Sequence, residues 1–376
     1  MFYKNAKIYA SDGTFRMGAF EVIGDRFGKI FPTVVPEDAI DLQGATVIPG
    51  LVDIHIHGAM GYDFTSDGED FEGITRMAAH LAKSGVTSFA PSNGTHDFAA
   101  LSAAHKNAKR LFDESPENCA RMVGIHMEGP YFSPAKKGGQ NGDYLRNPDW
   151  QEVEKLNALS GGLIRLVSLA PELEGAEEFI QKLQSLCTIS IGHTAATYDQ
   201  AKHAFDLGAT QVTHTFNAMN GIHHRAPGII PAALEYENVA MELICDGQHV
   251  HESVVRIAFR MFPGRICLVS DALRCAGMPE GEYELGGQQV FLKGGLARLA
   301  DGTIAGSAGN LYDAMRNAVS FGISKEEAIL SATANPAKQI GRSHEIGSIA
   351  AGLLADFVVC SEDLERIAVY MGGEKL

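Results

Sequence analysis

The run Leu51-Val52-Asp53-Ile54-His55-Ile56-His57-Gly58 sets a carboxylate and two imidazoles at alternate positions of an otherwise apolar stretch. In a β-strand, residues i and i+2 point to the same face. Asp53, His55 and His57 therefore share one face, while Val52, Ile54 and Ile56 take the other. A strand occupied on both faces belongs in a core, as a barrel or buried parallel strand with a polar site at its carboxyl end. Two neutral imidazoles side by side can be held by one cation; they can equally be core histidines hydrogen-bonded to backbone. The pair alone leaves both readings open.

Outward from this run, apolar strand-like segments alternate with helical stretches rich in Ala, Leu and Lys, the sign of βα units. Eight candidate strands fall at 51–57, 85–91, 121–128, 163–170, 188–193, 210–214, 239–245 and 265–271. Helical candidates at 70–84, 98–114, 176–186, 198–207 and 253–262 lie between most of them. Eight such units fit a closed barrel better than an open sheet. The last unit is interrupted at 281–302, which reads as a β-hairpin or two ahead of helical candidates at 312–321 and 325–331. Residues 1–48 carry short strands separated by the turn formers Ser11-Asp12-Gly13 and Gly24-Asp25, and the tail at 347–349 and 355–360 returns to strand texture. The predicted class is α/β: a (β/α)8 TIM-type barrel over 49–345, with a small β-sandwich domain built by both termini, 1–48 plus 346–376.

Composition narrows the function. The 376 residues are 45% hydrophobic and 20% charged, the balance of an ordinary globular protein. A net charge of -15 argues against a nucleic-acid surface, which needs clustered Lys and Arg. A small anionic substrate remains compatible with it, because a local pocket can be basic within an acidic whole. The first residues carry no secretory pattern, and no window approaches the roughly 18 to 20 uninterrupted apolar residues of a membrane helix. The six cysteines are scattered without a CxxC pair, which reads as buried reduced thiols in a cytoplasmic protein.

The polar residues fall in register on the predicted strands. His55 and His57 end the first, Glu128 the third, His193 the fifth, His214 the sixth and Asp271 the eighth. In barrels the carboxyl ends of the strands converge on one mouth, so four imidazoles and two carboxylates would meet there. A single such residue is usually a cap or a loop contact; six in one register are hard to explain that way. Imidazole and carboxylate without thiolate suit Zn, Fe, Mn or Co at a catalytic site.

Six segments together carry a resemblance. They are 49–58, His126-Met127-Glu128-Gly129-Pro130-Tyr131, Gly192-His193-Thr194-Ala195-Ala196, Thr213-His214-Thr215-Phe216-Asn217-Ala218-Met219, Ser270-Asp271-Ala272-Leu273 and Gly302-Thr303-Ile304-Ala305-Gly306-Ser307. Through them the chain resembles the amidohydrolase superfamily, and within it the N-acetylglucosamine-6-phosphate deacetylase family with its galactosamine-type relatives. The resemblance implies that Glu128, His193 and His214 hold one divalent metal, that His55 and His57 can hold a second, and that Asp271 is the catalytic general base and acid. It implies that the main chain of Asn217 and Ala218 contacts a sugar phosphate, and that Arg225 and His249 reach that phosphate from the neighbouring subunit of a homodimer. A phosphorylated N-acetyl amino sugar is the implied substrate, with release of acetate. One departure bears on the sugar: where the family usually has a histidine after Lys136-Lys137-Gly138, this chain continues Gly139-Gln140, and Gln140 is expected to bind a hydroxyl without carrying charge. That departure keeps the galacto epimer, or another related amide, open as the substrate. A second departure, at 308–310, falls where the acyl pocket is expected.

Overall fold

In the computed structural model, which describes all 376 residues, parallel strands form where the apolar runs lie. They are β1 (Leu51–Ile56), β2 (Val86–Asn93), β3 (Ile125–Glu128), β4 (Ile164–Leu169), β5 (Thr188–Ile191), β6 (Gln211–Val212), β7 (Ala240–Ile244) and β8 (Ile266–Val269). Each pairs with the next in parallel, in chain order. The ends of the series meet through hydrogen bonds: Asp271 N–H donates to the His55 carbonyl at 2.9 Å, and the buried Asp53 carboxylate accepts Ser270 N–H at 3.4 Å. Asp53, read in the sequence as part of the polar face, thus joins β1 to the end of β8.

Eight helices follow the strands: α1 (Phe71–Ser84), α2 (Phe98–Glu114), α3 (Trp150–Leu159), α4 (Ala176–Leu183), α5 (Tyr198–Asp206), α6 (Ile229–Leu234), α7 (Glu252–Met261) and α8 (Leu311–Ser320). Their starts are written locally. The Asp70, Asp97 and Asp149 carboxylates accept first-turn N–H groups, and Thr197 forms a capping box with Gln200. The apolar faces of the helices and the outward residues of the strands, such as Phe89, Val167 and Leu243, form one continuous core.

Two helices, α9 (Lys325–Ala332) and α10 (Ala334–Gln339), complete the barrel region, with Ala337 and Ile340 packed in one cluster with Val52 and Ile54. Helices α3, α6 and α10 were not among the sequence candidates. Helix α6 spans six residues and most of them are buried, so it presents no polar face whose period could be read. Strand β6 is only two residues long, because the chain turns into left-handed conformation at His214.

Two further sheets flank the barrel. Phe2–Tyr9, Phe15–Ile23, Arg26–Ile30 and Thr46–Pro49 pair in one sheet with Phe357–Cys360, Arg366–Met371 and Glu374–Lys375 from the other end of the chain. That sheet has its own core, in which Tyr3 stacks on Phe20 with centroids 4.9 Å apart and Phe357 stacks on Tyr370 at 4.4 Å. The region expected as one or two hairpins is a four-stranded antiparallel sheet, Gly281–Leu285, Gln288–Lys293, Leu296–Leu299 and Ile304–Ser307, inserted between β8 and α8. It packs on a small cluster containing Leu273, Val290, Leu292 and Ala297. All six cysteines are buried free thiols, and no helix is long and apolar enough to cross a membrane.

Candidate active site

The expected residues meet at the carboxyl mouth of the barrel. His55 lies on β1 with His57 just beyond it, Glu128 closes β3, and His193, His214 and Asp271 follow β5, β6 and β8. Past their strands the last three adopt φ of +49°, +23° and +47°. Left-handed backbone is costly for residues with a Cβ and persists only where the surroundings hold it. Here it turns each side chain back over the barrel axis.

The resulting cluster is tight. Glu128 Oε1 lies 3.0 Å from both His193 Nε2 and His214 Nε2, which are themselves 3.0 Å apart. Glu128 Oε2 lies 3.3 Å from His57 Nε2. Asp271 Oδ1 is 3.5 Å from His55 Nε2 and 3.3 Å from His57 Nε2. Two groups of three are thereby set side by side, Glu128/His193/His214 and His55/His57/Asp271, with the Glu128 carboxylate facing both.

The other ring nitrogens explain why these edges converge. His57 Nδ1 donates to the Ser92 carbonyl at 3.0 Å, His193 Nδ1 to the Lys136 carbonyl at 3.0 Å, and His55 Nδ1 meets Glu242 Oε2 at 2.9 Å. A neutral imidazole with its proton on Nδ1 presents a lone pair at Nε2. The lone pairs of His55, His57 and His193 then face carboxylate oxygens and one another in a buried space, an arrangement that calls for positive charge between them. The titration behaviour agrees. Burial pushes the Glu128 and Asp271 carboxyls up, yet the imidazoles around them, His193 and His55 foremost at Glu128 and His55 foremost at Asp271, hold both below the usual carboxylate range. Burial works against charge on His55, but Glu242, Asp271 and Glu128 together raise it to about 9, so the surroundings draw a proton onto Nε2, the position that a cation would take in its place. The donor set therefore fits a divalent transition cation, with three-residue nitrogen and oxygen sets of the catalytic type.

Above the cluster lies a cavity of about 200 Å³, bounded by Asn217 and Ala218 on one side, His249 on another, and Leu285, Ile304 and Ala305 of the inserted sheet as a roof. The roof is braced to the loop after β3, where Gln288 Nε2 donates to the Gly139 carbonyl at 2.8 Å and Asn141 Nδ2 to the Gly286 carbonyl at 2.9 Å. Ala218, with φ of +51°, has an N–H that no acceptor of the chain engages, whereas the Asn217 N–H is already given to the His214 carbonyl at 3.0 Å. Ala305 and Gly306 line the cavity; Ala308 packs instead against the core beneath the roof.

Three more of the expected residues stand in different surroundings. His249 was expected to reach a neighbouring active site, but it lines the cavity of its own chain, where Asp246 fixes its Nδ1 at 2.6 Å. Arg225 lies in an exposed loop outside that cavity, and its guanidinium engages no group of its own chain. Gln140 lines the cavity, yet both ends of its amide are committed: Nε2 donates to Glu128 Oε2 at 2.5 Å and Oε1 accepts Thr95 N–H at 2.7 Å. It braces the cluster in addition to facing the cavity.

Sequence reading missed Glu242 entirely. This fully buried carboxylate on β7 touches His55, the His214 main chain and Gln211. The available signal was a charged residue in the middle of the apolar run Val239-Ala240-Met241-Glu242-Leu243-Ile244-Cys245.

Comparison with known proteins accords with this geometry. The profile of the Amidohydrolase family matches residues 46–376. The N-acetylgalactosamine-6-phosphate deacetylase of Escherichia coli O157:H7 is 36% identical over 90% of this chain and 90% of its own length. The N-acetylglucosamine-6-phosphate deacetylase of Bacillus subtilis is 35% identical over 98% of this chain and 92% of its own. Among solved structures, a mutant N-acetyl-D-glucosamine-6-phosphate deacetylase from Mycobacterium smegmatis, in complex with N-acetyl-D-glucosamine-6-phosphate, superposes with a TM-score of 0.92 at 34% identity, covering 100% of this chain and 98% of that one. With the profile spanning most of its length and such relatives matched nearly end to end, the chain belongs to the amidohydrolase family.

Proposed function

We propose that this protein hydrolyses the N-acetyl group of N-acetylglucosamine 6-phosphate, producing glucosamine 6-phosphate and acetate. The observation that carries the reading is the convergence of Glu128, His193, His214, His57 and Asp271 on one cavity, with His55 grouped with His57 and Asp271. Close relatives named for this reaction supply the substrate class.

Glu128, His193 and His214 would hold one divalent metal, Zn, Fe, Mn or Co, and His55 with His57 would hold a second. When bound, the metal polarises the amide carbonyl and makes water acidic enough to act near neutral pH. Asp271 takes the proton of the attacking water and returns it to the departing amine nitrogen. Its suppressed carboxyl pKa keeps it ionised, as a base must be at the start. Ala218 N–H and His249, which both line the cavity, receive the 6-phosphate.

No Lys or Arg lines the cavity of a single chain, which leaves a phosphate dianion without a guanidinium or ammonium partner. Arg225, unpartnered in its own chain, is the group to supply it from a second subunit, so the active assembly is a homodimer.

Acetate release measured side by side on the gluco and galacto 6-phosphates and on unphosphorylated N-acetylglucosamine tests the reading. Fastest turnover on the gluco 6-phosphate is expected; a preference for the galacto epimer would move the protein to its Escherichia coli relative's reaction. Equal rates with and without phosphate would remove the phosphate site. In the same assay Asp271→Asn should lose nearly all turnover while retaining bound metal.

A further inference from the structure

Glu242 is fully buried on β7, and no Lys or Arg reaches it. A carboxylate in that position is expensive unless every oxygen is used. Its oxygens are used, and on an unusual set of partners. Oε2 meets His55 Nδ1 at 2.9 Å and accepts His214 N–H at 3.1 Å, while Oε1 accepts Gln211 Nε2 at 2.6 Å. Two of the three partners belong to opposite halves of the metal cluster. His214 is also the residue with the strained φ of +23°, so its main chain needs an external hold.

Glu242, His55 and His126 bring donor atoms close enough to bind a cation themselves. His126 is not available for it, because Ser92 Oγ at 3.2 Å and Ser168 Oγ at 2.7 Å occupy both ring nitrogens. The carboxylate therefore acts on imidazole and amide rather than on an ion.

We infer that Glu242 is a positioning residue that locks His55 with its proton on Nδ1 and clamps the His214 main chain at the same time, coupling the two halves of the centre through one side chain. The inference rests on the proposed metal reading of the cluster. It follows the general behaviour of carboxylates behind metal-bound histidines, which fix the tautomer and raise ligand basicity.

Gln211 makes a clean test possible. Its Oε1 is buried without a partner, so a turn of the Gln211 amide would let it accept from a glutamine amide at position 242. Glu242→Gln can then keep the acceptor for His55 and His214 and lose only the charge, whereas Glu242→Leu loses both. The full-length protein, stripped by chelator, is titrated with Co2+, following affinity, stoichiometry and the visible spectrum of the bound ion, with thermal melting alongside.

The expected result is a Glu242→Gln protein that melts near wild type but binds Co2+ about 10- to 100-fold more weakly. Glu242→Leu should lose one equivalent of Co2+ and show an altered spectrum. A purely structural role would lower the melting temperature and leave affinity and spectrum of the folded protein unchanged, overturning the inference. If Glu242→Leu does not fold, the Glu242→Gln affinity decides alone. Wild type that takes up no Co2+ would sink the metal reading and this inference together; variants that bind as wild type does would sink this inference only.

Discussion

His105 shows how a single buried ring sets a pH limit on the whole fold. It lies on α2 without exposure, its Nε2 3.2 Å from Asn93 Oδ1, beside the Phe64 ring. Burial pushes its pKa down to about 4. The unfolded chain therefore binds this proton more readily than the native one, so the stability tied to neutral His105 is complete above about pH 6.5 and drains away as the pH falls towards 4. The full span is worth about 3 kcal/mol. Denaturant unfolding at pH 7, 5.5 and 4.5 should show that slope, and His105→Gln should flatten it. A slope unchanged in the variant would mean other groups dominate acid unfolding. At this scale the sequence displayed residues that end strands, since His55, His57, Glu128, His193, His214 and Asp271 interrupt apolar runs where a loop begins. It hid Glu242 and the amide commitments of Gln140, which depend on partners far along the chain.

At the scale of elements, Gly50 stands where no side chain fits. The strand Thr46–Pro49 belongs to the terminal sheet and β1 begins at Leu51, so one residue carries the chain between two sheets. A Cβ at Gly50 would stand 2.0 Å from Thr87 Oγ1, on a buried, β-branched residue of β2 that has little freedom to retreat. Gly50→Ala should lower the unfolding free energy by about 1–3 kcal/mol, and adding Thr87→Ala should return part of it. Calorimetric melts of the two single variants and the double variant check this; strict additivity would exclude the clash. The alternation of strands and helices was legible because each βα unit carries its own apolar periods and caps. The inserted sheet was read only in part, because its strands around Gly286-Gly287 and Gly294-Gly295 are short and half exposed.

For the whole molecule the decisive matter is that no Lys or Arg lines the cavity of one chain, so the proposed phosphate site must draw its cation from a second one. Arg225→Ala should raise KM for the 6-phosphate substrate at least tenfold and leave the slow hydrolysis of the unphosphorylated sugar unaltered. Mixing offers a sharper check. In a hybrid dimer of Arg225→Ala and Asp271→Asn chains, one site combines an intact Asp271 with an intact Arg225 from its partner. Co-expressing the two weak variants should recover about a quarter of wild-type activity by random assortment. No recovery would place Arg225 in its own chain's site or outside catalysis altogether.

The inserted sheet has one more implication, for how such a protein changes over time. Its strands pair with each other, it carries a small core of its own, and it joins the barrel at a stem where Ser307 N–H donates to the Asp271 carbonyl and Leu273 N–H to the Ser307 carbonyl, both at 2.9 Å. The roof of the cavity is thus carried on a cassette, while the clustered histidines and carboxylates are anchored in the barrel. Mutations can accumulate in the cassette, reshaping the roof of the cavity, without touching the clustered histidines and carboxylates of the barrel. New substrate ranges are accordingly within reach of small steps confined to 281–307.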